Sequence, residues 1–245
     1  MIISQNLQNA IEKLYAVFAI YPLKLPVMGC DGCITREDIA CLESKPLRKL
    51  TKQDMEKYTR KALTTWGDTD DFRHFLPRIF ELALSDAEPF PFDIECISGK
   101  LAYGNWSSWP EGEQHALRSL FHTLWVDVIN QPDKALGSWL CAFGPVESDL
   151  TFYLDTWFAG LTTETALRNF LTFLDASRYR VRYGQLRGAF GSLHVAQASQ
   201  IANWLKAPRL RESLEAHFFA SDVDSPYAAN LAVVIDRLYE LERNG

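Results

Sequence analysis

Three groups of residues in this chain have types and spacings that could do chemistry. The first is Cys30-Asp31-Gly32-Cys33, with Cys41 eight residues further on. Two thiolates at Cys-x2-Cys spacing on a glycine turn can aim both sulfurs at one zinc ion. No second Cys-x-x-Cys follows, so Cys30, Cys33 and Cys41 would need His74 or Cys96 brought to them by the fold. A redox dithiol is a further alternative, although no βαβ pattern surrounds it. The plainest account is that these are free cysteines packed as small apolar groups, and it is the favoured one. The second group is Asp68, Asp70, Asp71, Arg73 and His74, beside Trp66. Asp70 and His74 are four apart and share a helix face. A carboxylate orienting an imidazole is the arrangement of a general base or of a metal's outer shell. Helix capping and dipole complementarity account for the same acids without any site. The Asp-x-Asp-Asp string lacks the glycine and terminal glutamate of a calcium loop. The third group is Arg168, Arg178, Arg180, Arg182 and Arg187, with Asp175 as the one nearby acid. Arginines alternating around Tyr179 and Tyr183 could hold a phosphate or an acidic peptide by bidentate contacts and stacking. More often such a run is a solvated surface that pairs with acids elsewhere. Glu111, His115 and His122 lie near one helical stripe but lack compact metal-binding spacing.

No phosphate-cradling glycine loop, nucleotide fingerprint, Gly-x-Ser-x-Gly elbow or kinase set is present, and no residue is assigned a catalytic role. The net charge of −6 argues against wrapping a nucleic-acid backbone and is compatible with a basic protein partner. Five cysteines are an odd number for a chain of 245 residues with ample apolar content, unlike a secreted disulfide framework. The apolar run Leu14–Ile20 is flanked by Glu12 and Lys13 and followed by Pro22 and Pro26, with no small-residue cleavage site. No apolar run reaches membrane-spanning length. A cytoplasmic protein without membrane contact is the expectation. No cofactor is expected apart from zinc on the cysteines.

The elements that must position these groups are helical. Apolar residues at helical spacing predict a first helix over Ser4–Ile20. Thr35 with Asp38, and Thr51 with Asp54, have capping-box spacing, and the helix after Thr51 is expected to end at Gly67. Asp68 caps the next helix, which Pro77 is expected to break or kink. Further helices are predicted up to Tyr103, then over Ser108–Asn130, Pro132–Gly144, Glu147–Ala159, Thr163–Ser177, Leu193–Lys206, Pro208–Ala220 and Ser225–Arg243. Only Tyr179–Tyr183 alternates like a strand. The fold class is therefore all-α, with about ten or eleven helices in stacked antiparallel pairs, as a solenoid or an irregular bundle. Residues 1–245 are expected to form a single domain. It would comprise an N-terminal subregion 1–90 with the cysteine turn, a repeat region 50–206, and C-terminal helices over 208–243.

A small residue, an aromatic and a glycine recur at Thr65-Trp66-Gly67, Ala102-Tyr103-Gly104, Ala142-Phe143-Gly144 and Ala189-Phe190-Gly191. The glycines are 37, 40 and 47 residues apart, the size of stacked helix pairs. Ala62-Leu63, Gly67-Asp68, Leu76-Pro77 and Ile79-Phe80-Glu81-Leu82 together resemble a HEAT-like repeat. The resemblance covers roughly residues 50–206 and departs from the family in the long gap between Gly67-Asp68 and Pro77. Trp157 and Trp204 align at the 47-residue offset. Glycine caps on apolar helices would produce the same recurrence in a non-repetitive bundle. The run from Cys30-Asp-Gly-Cys33 through Ser44-Lys-Pro-Leu-Arg48 to Thr64-Thr-Trp-Gly-Asp68 and Asp71-Phe-Arg-His-Phe-Leu-Pro77 is similar to a family of uncharacterised bacterial proteins, which implies no activity. The leading functional expectation is a non-catalytic helical scaffold that binds a macromolecule, foremost a protein. Trp66, Asp70, Arg73, His74, Arg178, Arg180 and Arg182 are its candidate binding residues, the arginines for an anionic ligand. The alternatives are a small metal-dependent enzyme or ligand-binding protein with a site near Cys30–His74, and a bacterial accessory or immunity-type protein.

Overall fold

Side-chain caps start the early helices where the sequence places them. Ser4 accepts from the Leu7 N–H to open α1 (Gln5–Phe18). Thr35 with Asp38, and Thr51 with Asp54, form full capping boxes on α2 (Arg36–Glu43) and α3 (Lys52–Lys61). Asp68 with Asp71 does the same for α4 (Thr69–Leu84). Each box satisfies two backbone donors that a helix start leaves unpaired. The computed structural model describes residues 4–85, 94–182 and 193–243, without the side chains of 177–182. The remaining helices are α5 (Ile94–Tyr103), α6 (Glu111–Ile129), α7 (Leu136–Phe143), α8 (Thr151–Gly160), α9 (Glu164–Arg182), α10 (Val195–Leu205), α11 (Pro208–Ala220) and α12 (Pro226–Arg243). Short 3-10 turns cover Leu47–Lys49 and Trp106–Ser108. The described residues are thus all-α as expected, with twelve α-helices and no strand, only isolated bridges. None of these helices is long and apolar enough to cross a membrane.

Three local expectations are corrected. Pro77 does not break α4, which runs through it. Phe72, Phe75, Leu76, Ile79, Phe80 and Leu82 are all buried from that one helix. At roughly 1.5–3 kcal/mol each, they outweigh the ~3 kcal/mol cost of an interior proline. The helix expected to end at Ser177 runs further, because α9 continues to Arg182. The third correction is the end of α3, which stops at Lys61 and not at Gly67. The N–H groups of Thr64, Thr65 and Trp66 all turn back to the Lys61 carbonyl. Segment 62–67 then lies against 27–30: Cys30 N–H donates to Thr65 O, Gly67 N–H to Met28 O, and the Trp66 indole N–H to Val27 O at 3.2 Å. A Cβ on Gly29 would sit 2.7 Å from Ile34 Cγ1 and 3.2 Å from Trp66 Cδ1, so only glycine allows this approach. Gly67 has φ +73°, and it links the buried indole to the Asp68 cap.

The chain divides into two compact units, Met1–Thr123 and Leu124–Gly245, with the boundary inside α6. In the N-terminal unit α1 packs on α4, α2 on α3, and α3 on α4. Tyr58 packs its ring against Phe75 and Trp66. In the C-terminal unit α9 is the hub, touched by α7, α8, α10 and α12, with α11 on α12. Its core is aromatic. Trp125 meets Phe143, Tyr153 and Trp157 edge-on, and Trp157 stacks on Trp204 at 5.5 Å between ring centroids. Such offset and edge contacts add about 0.5–1.5 kcal/mol per pair beyond the area they bury.

The three described copies of the small-aromatic-glycine recurrence differ in conformation. Gly67 is left-handed, while Gly104 and Gly144 close α5 and α7, Gly144 with helical φ and ψ. Tyr103 is exposed where Trp66 and Phe143 are buried. The fourth copy, Ala189-Phe190-Gly191, lies outside the described residues.

Candidate functional site, the cleft between α1 and α4

Amphipathic α1 turns its buried stripe toward α4 and leaves Ala16 and Ala19 exposed. Small side chains there open a cleft of about 500 Å³ in the N-terminal unit. Tyr15, Phe18 and Ala19 come from α1, and Tyr21 and Pro22 from the turn that follows. The 3-10 turn contributes Leu47 and Arg48, and α4 contributes His74 and Pro77. The walls are mainly apolar.

Most of the polar groups around the cleft are committed to one another. The Arg48 guanidinium lies 3.6 Å from the Tyr15 ring centroid and forks onto Glu12 at 2.7 and 2.6 Å. That fork holds the Glu12 carboxyl below its usual range. The Tyr15 hydroxyl donates to Glu81 at 2.5 Å, and Glu81 also pairs with Arg78. Burial, then the Glu81 carboxylate, pushes the Tyr15 hydroxyl well above its usual pKa.

His74 is differently placed. Its Nδ1 lies 2.8 Å from the Tyr21 carbonyl oxygen. A carbonyl can only accept, so Nδ1 carries the proton and Nε2 is the ring's acceptor. The imidazole is thereby fixed edge-on to Phe75 at 4.8 Å between centroids. The expected Asp70–His74 pair is not what orients it. Asp70 instead takes Lys24 at 2.8 Å and Arg73 at 3.3 Å, and the Lys24 bond holds its carboxyl below the usual range.

Arg73 lies between the rings of Tyr21, at 4.9 Å, and Trp109, at 4.4 Å. Its Nε is 3.2 Å from Glu113 Oε2, close enough for an ion pair but not aligned for a hydrogen bond. Glu113 is 2% exposed and accepts from the Tyr21 hydroxyl at 2.5 Å. Burial and then that bond raise the Tyr21 hydroxyl to about 12. Tyr21 therefore joins two systems: its hydroxyl is held by buried Glu113, and its carbonyl holds His74.

Trp66, a candidate binding residue, is buried in the loop anchor and presents no surface. The side chains of Arg178, Arg180 and Arg182, and all of Arg187, lie outside the described residues. Cys30 and Cys33 share a tight turn, with Cys33 and Ile34 N–H both donating to Cys30 O. The Gly32 N–H and then the Cys33 thiol hold the Cys30 thiol below its usual range. Cys41 is not brought to this pair. It donates to Asp54 at 3.3 Å, and partial burial with that carboxylate raises its thiol. Among the described residues no three His, Cys, Asp or Glu side chains converge as a metal site.

Sequence reasoning missed Tyr15, Arg48, Tyr21 and Glu113. Their contacts span 36 to 92 residues, and local spacing carries no signal for them.

The acids that carry the helix starts also set a pH response. Asp38 is lowered by Lys57, and Asp70 by Lys24. Burial acts to raise Asp54, but bonds from Lys45 and Thr51 outweigh it and leave its pKa lowered. Carboxylates lowered in the native state stabilise it above the unfolded pKa, and that contribution is lost as pH falls. Asp71, raised by burial, acts in the opposite sense but is one group against three. The urea midpoint of the N-terminal unit should therefore fall as pH drops from about 5 to about 3. Asp54→Asn should lower the midpoint at pH 7 and flatten that slope. An unchanged slope would show that Asp54 does not contribute.

Comparison of the chain with protein-family models, with curated proteins and with solved structures found no match, so its role must be read from this geometry.

Proposed function

We propose that the chain is a non-catalytic helical scaffold for a protein partner, and that the cleft between α1 and α4 holds one apolar side chain of that partner. The observation that carries this is the cleft itself. Its walls are mainly apolar, its charged residues are paired with one another, and His74 is the oriented acceptor among its lining residues. A general base works best where a carboxylate stabilises the imidazolium it becomes. Here a neutral carbonyl orients the ring, which suits it to accepting a hydrogen bond. An aromatic side chain with a polar N–H or O–H, tryptophan or tyrosine, matches an apolar cleft with one acceptor. Ile20, next in sequence to lining residues Ala19 and Tyr21, is an exposed apolar side chain. The net charge of −6 favours a basic partner through steering.

The architectural half of the proposal is the HEAT-like repeat. It is supported by Trp157 and Trp204, which are one 47-residue offset apart in sequence and stack in the C-terminal unit. Corresponding residues of successive repeats meet in this way when helix pairs stack.

The test is quantitative binding of a partner captured by the full chain. Ala16→Arg, which fills the cleft from an exposed position, should abolish stoichiometric binding. His74→Ala should weaken it by roughly 3- to 10-fold, the worth of one hydrogen bond. Both variants should keep the wild-type helical spectrum. Undiminished binding by both, or small-molecule turnover by the wild type that His74→Ala abolishes, would refute the proposal.

A further inference from the structure

A second cavity, of about 210 Å³, lies among α3, α4 and α5 in the N-terminal unit. Phe72, Ile79 and Ile97 give it apolar walls, and each of these is almost wholly buried. Its polar lining is small and specific. Thr59 is 3% exposed, and among the described residues its hydroxyl has no hydrogen-bond partner. A buried hydroxyl without a partner is costly, and native folds keep one only for a reason. Lys100 also lines the cavity. Its Nζ donates to Ala62 O at 2.7 Å, which leaves two of its three N–H groups. Burial holds that ammonium below its usual range, so an arriving anion would restore its preference for charge. Exposed Arg60 adds a second positive charge to the lining.

A single ordered water could answer the Thr59 hydroxyl, but it would leave the apolar walls without a partner. A ligand with an anionic head and a short hydrocarbon tail answers both. We infer that this cavity binds a short-chain monocarboxylate, its head taking hydrogen bonds from Lys100 Nζ and Thr59 Oγ1 and its tail lying against Phe72, Ile79 and Ile97. A dry cavity of ~150 Å³ accepts benzene, so this volume suits a tail of about four to six carbons.

Hexanoate, hexanol and hexylamine titrated into the full chain test this, read by methyl NMR of Ile79 and Ile97. Hexanoate should shift both sets of methyls and bind at least about tenfold more tightly than the alcohol or the amine. Thr59→Val is nearly isosteric and removes an unpaired hydroxyl, so it should fold at least as well as wild type. It should nevertheless weaken hexanoate about tenfold. Lys100→Met should erase the preference of acid over alcohol. Equal affinity for hexanoate and hexanol, an unchanged affinity in Thr59→Val, or no methyl shift at saturating hexanoate would each overturn the assignment.

Discussion

Replacing Trp66 with alanine should cost the N-terminal unit about 3–5 kcal/mol. The indole is almost wholly buried, packs edge-on against Tyr58 at 5.4 Å, and donates to Val27 O. Truncation loses the transfer energy of the ring and leaves a cavity. The surroundings cannot close it easily, because Gly29 reaches the indole with its backbone and Gly67 is fixed at positive φ. Val27 O would also lose its donor. Segments 27–30 and 62–67 are held together by this side chain and by the two backbone hydrogen bonds beside it, so the loss should reach the Asp68 cap and the start of α4. Hydrogen exchange after the substitution should show faster exchange over 27–30 and 62–72, with protection in α9 and α12 unchanged. Trp66→Phe should recover most of the packing and retain a deficit of about 1–2 kcal/mol from the unpaired carbonyl. A shift below about 1 kcal/mol for Trp66→Ala would show that the loop pair holds without the indole.

Glu113→Ala is the second large effect, expected near 3 kcal/mol. Breaking a buried ion pair costs about 3–5 kcal/mol because one charge is left uncompensated. The lower end applies here, since Arg73 keeps Asp70 and two aromatic faces. Glu113→Gln retains an acceptor for the Tyr21 hydroxyl and should cost less, about 1–2 kcal/mol. The sharper prediction concerns the double variant. Arg73→Met with Glu113→Leu removes both charges, and it should be more stable than either single change. A thermodynamic cycle showing simple additivity would mean that the two side chains do not interact. Glu113→Ala should also weaken partner binding at the cleft, although Glu113 is not among the residues lining it. The connection runs through Tyr21, whose hydroxyl Glu113 holds and whose carbonyl orients His74.

What the sequence revealed and what it concealed divide along contact range. Thr35 with Asp38 and Thr51 with Asp54 were legible because a capping box closes over three residues. The all-α class was legible because apolar spacing is local. Pro77 was misread because burial along the whole of α4 outweighs a penalty counted at one residue. Trp66 is a candidate binding residue in the sequence because it stands beside an acidic cluster, yet its partner Val27 is 39 residues away. Asp70 and His74 have helical spacing, but Lys24 competes for the carboxylate from 46 residues away. Glu113 sits in the first turn of α6, where an acid is expected for capping reasons alone, and nothing nearby distinguishes it as the buried partner of Arg73. The cleft was invisible for the same reason: α1, the 3-10 turn and α4 meet only in the fold.

The boundary inside α6 bears on how such a chain can be inherited. Modules that recombine between genes are usually joined by exposed linkers, where an exchange leaves both cores whole. Here the seam runs through one helix. Leu117, Leu120 and Phe121 are buried on one side of it, and Leu124, Trp125 and Val128 on the other. An exchange at the boundary would cut α6 in mid-helix and leave each half with a helix end whose backbone groups have lost their partners. The seam between the units is therefore a poor point for exchange, and a crossover at residue 123 should be tolerated worse than one in an exposed loop.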